Sequence, residues 1–542
     1  MEVKDVEVKF MTLHKENRFV ALFAAALVLA TSIPYLAGHF LPFQSSRFNG
    51  NLLDDGDFNT YFAFMRQAAE GQWLFHNPFT PEPHEPVFFN LEWLVVGKLA
   101  AVKGISLEGA FQLERIVSIF VLCFAFNWLS SFLFNTVLMR RLLLTMVMVG
   151  GGFGWLLALL GFPPRLPHLF VLDMHGGFHP FFWILFWPHP MVAQIFAILA
   201  LCFFLRAESS GFRKGYFFAA LCCAFSACIR PYDAVYLSAA IALYTLILTV
   251  TRQTDRSLSR NALRAVVLMA PAPMMIHYLF VLKIHPVFQC WGAQSIAPPP
   301  RPDNLAATLG ISTIVLILGL GNFRDFKKKT SPQILMVCCL VSSLILLYCY
   351  PIMWFSLQFS STLLIPVILA GTMKLEGSLI SMVRNSKWAS LGVAAVLFVN
   401  SLTSLWLLGH HTKEIVRGRQ RTDANLLAAY SWLDEHSEPG EIVLPSTSYP
   451  PGNQIPRYTH NTVFSAYQYT TVDFQKKDEM IWRFFLKETP DAFRYDLLRE
   501  FRIRYIFLRS LDRIHITYNP DKSPFLKEIF RNNQATIYEF VP

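Results

Sequence analysis

Eleven apolar stretches, each near the length needed to cross a bilayer, run along this chain of 542 residues. They lie at roughly 19–41, 112–134, 142–161, 188–205, 215–229, 234–251, 265–283, 304–321, 332–350, 358–373 and 388–408. A membrane-spanning helix needs about 20 mostly apolar residues, so the pattern predicts a polytopic α-helical membrane protein of about 11 transmembrane helices. Charged residues make up only 15% of the chain, against about a quarter in soluble domains. A set of soluble domains is therefore excluded.

Two segments decide how these stretches are counted. The first stretch is longer than a usual signal-peptide core and lacks a small-x-small cleavage site, so we predict that it stays as an anchor. The segment 88–104 is apolar but carries Asn90, Glu92, Lys98 and Lys103. We therefore predict a helix lying at the outer membrane interface, with its charges turned to water.

The positive charges of the short loops predict the orientation. Alternate loops carry clusters within residues 140–141, 206–214, 252–264, 324–329 and 374–387, whereas the opposite short loops contain only Arg165, Arg230, Lys283 and Arg301. Lys and Arg concentrate in cytoplasmic loops, so we predict a cytoplasmic N-terminus and, with an odd number of spans, an extracytoplasmic C-terminus. The net charge of +10 then follows from topology and gives no indication of nucleic-acid binding.

Two larger regions are predicted to lie outside: a first loop at 42–111 and a tail at 409–542. We divide the chain into a transmembrane domain, 1–408, which includes that loop, and an extracytoplasmic domain, 409–542. The tail alternates predicted helices and strands, which is typical of a small α/β domain. Its predicted elements are a helix capped by Thr422 or Asp423 that runs to about 436, an apolar run at 441–445, helices near 474–487 and 491–501, and strands at 504–508 and 535–541.

The nine cysteines predict neither a disulfide framework nor a metal site. Eight lie in or at the ends of the apolar stretches, and only Cys290 falls in an outer loop. Buried cysteines commonly act as small apolar residues, and we interpret nearly all of these in that way.

Three carboxylates, Asp54, Asp55 and Asp57, follow the first stretch closely. One interpretation is a hydrated loop in which Asp57 caps a helix that runs to about Glu70. The other is a general base held at the membrane surface. Both need the same residue type, so spacing alone does not separate them.

The first loop resembles that of a known enzyme family. The patterns D-x-x-x-Y-x-x-x-M-R-Q-A-A-E-G-x-W at 57–73 and N-P-F-T-x-E-P-H at 77–84 look like the first outer loop of GT-C glycosyltransferases. These are polytopic enzymes related to protein O-mannosyltransferases and lipid A aminoarabinose transferases. The closing tail, with I-P-R-Y-T-H-N-T-V-F at 455–464, fits the same order of elements.

The resemblance implies a reaction and a place for it. In such enzymes an outer-loop aspartate deprotonates or orients the acceptor, while the sugar arrives on a polyprenyl phosphate and transfer inverts the anomeric centre. By its spacing to Tyr61, Asp57 matches that aspartate, and Asp54 and Asp55 are its alternatives. Many relatives have an Asp-Glu pair here, whereas Phe58 follows Asp57 in this chain. The implied location is the bacterial inner membrane.

We take Tyr61, Arg66, Arg230 and Arg301 as candidate substrate-binding residues. Arg230 begins the run R-P-Y-D at the outer end of a span, where a guanidinium can bind phosphate through two donors. An internal Arg230–Asp233 pair is the competing interpretation. Lys283, Arg301 and Arg457 are further cations near the outer side, each interpreted first as ordinary surface charge.

A loop at 162–190 groups residues of metal-ligating type. These are His168, Asp173, His175, His179 and His189, a composition that suits a divalent cation. The glycine-rich, aromatic setting favours a turn with interfacial side chains instead. We therefore assign no metal ligands and no certain cofactor, and leave a divalent-metal requirement open.

The leading hypothesis is a GT-C-type membrane glycosyltransferase with a lipid-linked donor and an unknown outer acceptor. The alternative is a non-catalytic membrane subunit or scaffold with the same fold. A transporter ranks last, because transporters place polar residues near the midplane of the membrane, whereas these polar clusters lie at the outer ends.

Overall fold

The computed structural model describes residues 3–43, 45–53, 56–161, 172–175, 177–251, 258–294, 296–319, 329–350, 352–353 and 355–542. These residues form two compact units. Unit 1 comprises Met1–Pro34, Gln112–His277 and Ser295–Lys413, and unit 2 comprises Tyr35–Phe111, Tyr278–Gln294 and Glu414–Pro542. The predicted domain division at residue 408 remains a prediction.

Unit 1 is helical throughout its described part. Its helices are α1 (Val3–Phe40), α4 (Leu107–Ser131), α5 (Val137–Met148), α6 (Gly154–Leu159), α7 (Leu172–His175), α8 (Pro180–Leu185), α9 (Pro188–Ser210), α10 (Lys214–Ile229), α11 (Pro231–Val250), α12 (Leu258–Met269), α13 (Ala272–Leu279), α15 (Pro302–Leu309), α16 (Ile311–Gly319), α17 (Ser331–Tyr348), α18 (Leu364–Thr372), α19 (Glu376–Asn385) and α20 (Lys387–Val416). Of these, α1, α4, α13 and α20 continue into unit 2.

Within the described ranges, seven helices are long and apolar enough to cross a membrane, or up to nine if each of two bent pairs counts as one span. The bent pairs are α15 with α16, at 104°, and α18 with α19, at 73°. Two of the eleven predicted stretches correspond to shorter helices: 142–161 divides into α5 and α6, and 215–229 is α10. The prediction of a polytopic helical membrane protein is confirmed.

A glycine turn between α5 and α6 has its backbone bonded by distant side chains. The amides of Gly152 and Gly154 donate to Asp173 Oδ2 at 2.8 and 3.1 Å, and Thr403 Oγ1 donates to the Gly152 carbonyl at 2.9 Å. A Cβ at Gly152 would lie 2.2 Å from the Thr308 carbonyl oxygen, so only glycine fits. The turn therefore interrupts the helix without leaving these polar groups unpaired.

Unit 2 combines the first loop with the tail. Its helices are α2 (Gly56–Ala69), α3 (Leu91–Lys103), α14 (Gln289–Gln294), α21 (Ala424–His436), α22 (Ile455–Tyr458), α23 (Phe474–Phe484) and α24 (Asp491–Glu500). Its strands are β1 (Ser46–Phe48), β2 (Arg421–Asp423), β3 (Ile442–Pro445), β4 (Thr462–Val463), β5 (Ile503–Arg509), β6 (Leu526–Arg531) and β7 (Ala535–Phe540).

The tail is built on a mixed sheet in the order β4-β3-β5-β7-β6. Strand β3 pairs in parallel with β4 and β5, and β7 pairs antiparallel with β5 and β6. Successive side chains of a strand face opposite sides. Accordingly Tyr505 and Phe507 pack with α21, whereas Ile506 and Leu508 pack with α23 and α24. The prediction of a small α/β tail is confirmed, including the Asp423 cap, whose side chain accepts from the Asn425 amide at 2.8 Å.

Helix α3 confirms a helix within 88–104, and its location at the membrane interface stays a prediction. It begins at the cap Asn90, whose side chain accepts from the Glu92 and Trp93 amides. Its Gly97 lies directly against α2, because a Cβ there would be 2.2 Å from the Met65 carbonyl oxygen and 2.6 Å from Ala68 Cβ. The absence of a side chain at Gly97 thus sets the spacing between the two helices.

We predict that Gly97→Ala lowers the melting temperature of the detergent-purified protein. The added methyl must push α2 from α3, and overpacking of this kind costs about 1–3 kcal/mol. Gly392→Ala is the matched control, because Gly392 is also inside a helix but meets nothing within 4 Å. That variant should melt at or slightly above the wild-type temperature. Equal melting of the two variants would contradict the packing argument.

Candidate functional site

Asp57 is the second residue of α2, within the first helical turn. It therefore lies inside the helix rather than at the cap position that one sequence interpretation gave it. The side chain is half-buried. A carboxylate is electrostatically favoured at this end of a helix, where the unpaired amides carry partial positive charge. Asp54 and Asp55, the two alternatives, lie outside the described residues.

The tail covers the start of α2. A Cβ at Gly56 would lie 2.6 Å from the ring of Tyr467, so this ring rests directly on the backbone next to Asp57. The Tyr467 ring in turn contacts Tyr449 and Tyr469, with ring centroids 6.2 and 5.3 Å apart. The surroundings of Asp57 thus combine the first loop with tail aromatics.

Tyr61 is packed among aromatic rings. Its ring stacks on Trp93 with centroids 4.7 Å apart, and Trp93 lies nearly parallel to Trp291 at 6.0 Å. Phe64 also stacks on Trp93, at 5.4 Å. Tyr61 keeps 9% of its surface exposed. This stack fixes the face of α2 that contains Tyr61, whereas a substrate contact by Tyr61 stays a prediction.

Arg66 joins the last turn of α2 to the tail. Its Nη2 contacts Asp434 Oδ1 at 2.6 Å, its Nε contacts Glu70 Oε1 at 2.8 Å, and its Nη1 donates to the Tyr458 carbonyl at 2.7 Å. A guanidinium has five N–H donors, and these contacts use all three of its nitrogens. The geometry therefore gives Arg66 a structural task, and its predicted substrate contact remains untested.

Arg457 was interpreted from the sequence as ordinary surface charge, and that interpretation is wrong. Only 5% of the residue is exposed. Its guanidinium contacts the Asn49 carbonyl at 2.5 Å, Asn59 Oδ1 at 3.2 Å and Glu108 Oε1 at 3.2 Å. The only signal in the sequence was its place in the I-P-R-Y run, and that run does not identify partners about 400 positions away.

Arg230 connects α10 to α11 in unit 1 and is 7% exposed. Its Nη1 lies 3.5 Å from Asp233 Oδ2, so the Arg230–Asp233 pair weighed from the sequence is present. Ser361 Oγ and Gln358 Oε1 accept from it at 3.3 Å. These contacts are longer than the 2.7–2.9 Å typical of charge-assisted hydrogen bonds. Arg301, by contrast, is 68% exposed in its side chain and pairs with Asp303 at 3.2 Å.

The described part of the loop at 162–190 is built around a buried carboxylate. Asp173 is 1% exposed and, as described above, holds the glycine turn. Burial raises the pKa of Asp173 to about 7, against the amide hydrogen bonds that lower it. His179 bonds the Thr308 carbonyl at 2.9 Å. His168 and the His175 side chain lie outside the described residues, and among those described no group of three His, Cys, Asp or Glu could hold a metal ion.

Two histidines of the first loop lie close together in unit 2. His84 Nε2 accepts from the Asn77 amide at 2.8 Å, and its Nδ1 donates to the Glu82 carbonyl at 2.7 Å. The His76 and His84 rings are 6.3 Å apart. Burial lowers the pKa of His76 to about 4, and the nearby His84 adds to the shift. His76 is therefore held neutral.

No protein-family model and no curated protein sequence matches this chain. Solved structures do match, and they assign the fold: this is a multi-pass membrane protein with the GT-C glycosyltransferase fold. The neighbours include the oligosaccharyltransferase AglB from Archaeoglobus fulgidus, in complex with an inhibitory peptide and a dolichol-phosphate. That match has a TM-score of 0.53 at 10% identity and covers 90% of this chain and 69% of AglB.

Two further neighbours have the same fold. The arabinofuranosyltransferase AftD from Mycobacteria matches with a TM-score of 0.56 at 14% identity, over 97% of this chain but only 42% of AftD. ArnT from Cupriavidus metallidurans, bound to undecaprenyl phosphate, matches with a TM-score of 0.50 at 11% identity, over 96% of this chain and 98% of ArnT. At such identities the likeness establishes the fold alone, so residue roles must be argued from this chain.

We predict that His76→Gln reduces the loss of stability that the wild-type protein shows at acidic pH. The folded protein keeps His76 neutral down to about pH 4, whereas the unfolded chain protonates it near the usual histidine pKa of about 6.5. The unfolded state thus binds more protons in this window, so stability falls as the pH drops from about 6.5 toward about 4. Melting temperatures across that range should fall less steeply in His76→Gln than in wild type. His515→Gln, at an exposed histidine, should keep the wild-type slope, and identical slopes in all three proteins would contradict the prediction.

Proposed function

We propose that this chain is a membrane glycosyltransferase that moves a sugar from a polyprenyl-phosphate carrier to an acceptor on the outer side of the membrane. Asp57 acts as the general base, on a protein with a cytoplasmic N-terminus and an extracytoplasmic tail. The observation that carries the proposal is the position of Asp57: a half-buried carboxylate in the first turn of α2, beside the tail ring of Tyr467. The GT-C fold supports the same reaction class.

The chemistry requires few protein groups. Asp57 accepts the proton of an acceptor hydroxyl as its oxygen attacks the anomeric carbon. The bond between that carbon and the phosphate oxygen breaks, and the polyprenyl phosphate leaves with the electron pair. A single displacement of this kind inverts the anomeric centre. A rigid helix is a suitable support for such a base, because catalytic groups must be held to within about 0.5 Å.

Removal of the base gives the first test. With a purified polyprenyl-phosphate sugar and a panel of acceptors, Asp57→Asn should lower kcat by about 10²- to 10⁴-fold, the usual contribution of a general base. Asp491→Asn is the matched control, because Asp491 also lies in the first turn of a helix, α24, and pairs with Arg494 at 2.8 Å. It should keep wild-type turnover. Equal turnover in Asp57→Asn and wild type would remove Asp57 from the mechanism, and no turnover by wild type with any donor would favour the non-catalytic scaffold.

We assign the donor phosphate to Arg230. Its long contacts with Asp233, Ser361 and Gln358 leave a guanidinium that gains by binding a stronger anion. The leaving phosphate needs a cation as its charge develops. Arg301, which is mostly exposed, is the second candidate for this role.

We predict that Arg230→Gln raises the KM for the polyprenyl-phosphate sugar by roughly 10- to 100-fold, since a hydrogen bond to a charged group contributes about 1.5–3 kcal/mol. Arg230→Lys keeps a cation beside the buried Asp233 and separates loss of binding from loss of folding. The control is Arg206→Gln, at an exposed arginine whose guanidinium lies 5.1 Å from the Phe212 ring. An unchanged KM in folded Arg230→Gln would exclude the phosphate contact.

A further inference from the structure

Arg457 is a tail residue buried against the first loop. It belongs to the single-turn helix α22 (Ile455–Tyr458), and 4% of its side chain is exposed. A buried guanidinium is costly unless oxygen atoms surround it. The groups that accept hydrogen bonds from Arg457 therefore indicate which part of the protein this arginine holds in place.

Its contacts lie on both sides of Asp57 in the sequence. Before Asp57, Nη2 donates to the Asn49 carbonyl at 2.5 Å and Nη1 approaches Asn51 Oδ1 at 3.5 Å. After it, Nη1 donates to Asn59 Oδ1 at 3.2 Å. Asn59 lies two residues beyond Asp57, so one side chain contacts both flanks of the segment that contains the proposed base.

Further contacts hold the guanidinium in this orientation. Its carbon lies 4.2 Å from the centre of the Phe62 ring and 5.1 Å from that of Tyr458. Glu108 Oε1 accepts at 3.2 Å. Glu108 itself packs on Gly50, where φ is +78° and a Cβ would lie 2.6 Å from Glu108 Cγ. The carboxylate that pairs with Arg457, Glu108, is thus packed against Gly50, a position where only glycine fits.

The same segment is attached to the tail at a second point. Asn49 donates its amide to the Gln420 carbonyl at 3.0 Å, and its Oδ1 accepts from Thr422 Oγ1 at 2.8 Å. Strands β1 and β2 pair next to it, with Phe48 opposite Arg421. The first flank is therefore held by several contacts with the tail, whereas the Asn59 side chain on the second flank accepts from Arg457.

We propose that Arg457 is a positioning residue: it holds Asn49 and Asn51 together with Asn59 of α2, so that Asp57 keeps one orientation at the start of this helix. The inference rests on the proposed function for its catalytic consequence. Only arginine supplies a planar fork that can bond the oxygens of Asn49, Asn59 and Glu108 together. A lysine offers one point charge and reaches fewer of them.

Amide hydrogen exchange tests the positioning itself, without any substrate. In the full-length protein in detergent, Arg457→Met should speed exchange in peptides that cover 49–60 by at least about tenfold. Lys477→Met is the matched control. Lys477 is another buried tail cation that contacts the first loop, at Thr80 Oγ1 (3.1 Å) and Glu82, and these partners lie outside 49–60. It should speed exchange near 80–84 and leave 49–60 unchanged.

Kinetics test the consequence for Asp57. Arg457→Met should lower kcat by about 100-fold, the effect of a displacement of about 1 Å at a reacting group, with donor and acceptor KM within about twofold of wild type. Arg457→Lys should recover part of kcat. Lys477→Met should keep the wild-type kcat. If Arg457→Met does not fold, Asn59→Ala is used instead, because it keeps the cation and removes one acceptor. It should also lower kcat with little change in KM, but to a smaller degree.

The two arms separate the inference from the function on which it rests. Unchanged exchange at 49–60 in Arg457→Met contradicts the positioning role, whatever the activity. Faster exchange at 49–60 in Lys477→Met also contradicts it, because the loss of any buried tail cation would then loosen this segment. Wild type without turnover contradicts the proposed function and the catalytic half of the inference, and a kcat loss matched by an equal rise in KM assigns Arg457 to substrate binding instead.

Discussion

Backbone hydrogen bonding in a medium without water is the constraint on which unit 1 depends. An unpaired amide or carbonyl inside a bilayer costs several kcal/mol, so spanning segments are helices and each break in a helix needs partners. Burial inside the protein imposes the same requirement on the turn between α5 and α6, whose glycines are buried. Its amides bond Asp173, and its Gly152 carbonyl accepts from Thr403. A carboxylate and a hydroxyl here provide the hydrogen bonds that water would otherwise supply.

Unit 2 is organised differently, because its first loop and the tail contribute to one hydrophobic cluster. The loop shares a core with the tail: Ala63 and Phe79 of the loop belong to the same buried cluster as Tyr430 and Phe507. Three ion pairs between the tail and the first loop accompany this core within the described residues, through Arg66, Lys477 and Arg457. Burial lowers the pKa of Lys477, against the pairing with Glu82 that raises it, as expected for a charge removed from water.

The shared core explains why a catalytic aspartate would be placed where Asp57 is. Helix α2 is held by α3 through Gly97, by aromatic stacking on Trp93 and by the tail through Tyr467. A base on a flexible loop would sample many orientations, whereas one on a helix fixed from three sides keeps its geometry. The tail is thus part of the support for the first loop. This dependence also explains why the sequence alone could not separate a cap from a base at residue 57.

The sequence by itself determined the class of fold and most elements of the tail, although it did not predict β4 and β6. Apolar length and the low content of charge require membrane helices, and these are local properties of the chain. The helix at Ala424–His436, the strand Ile503–Arg509 and the first-loop helix Gly56–Ala69 follow from local patterns in the same way. The resemblance of residues 57–84 to GT-C enzymes pointed to the fold that the solved neighbours have.

Only the tertiary structure decided which charged side chains are buried and which groups they contact. Arg457 and Arg301 look alike in the sequence, yet one is surrounded by oxygens and rings and the other is 68% exposed. Arg66 pairs with Asp434 across 368 positions, and no local pattern specifies such a partner. Burial and ion pairing depend on contacts between segments far apart in the chain, whereas helix length and strand alternation depend on neighbours. Helices and strands could therefore be predicted from this sequence, whereas buried charges and their partners could be identified only in the folded structure.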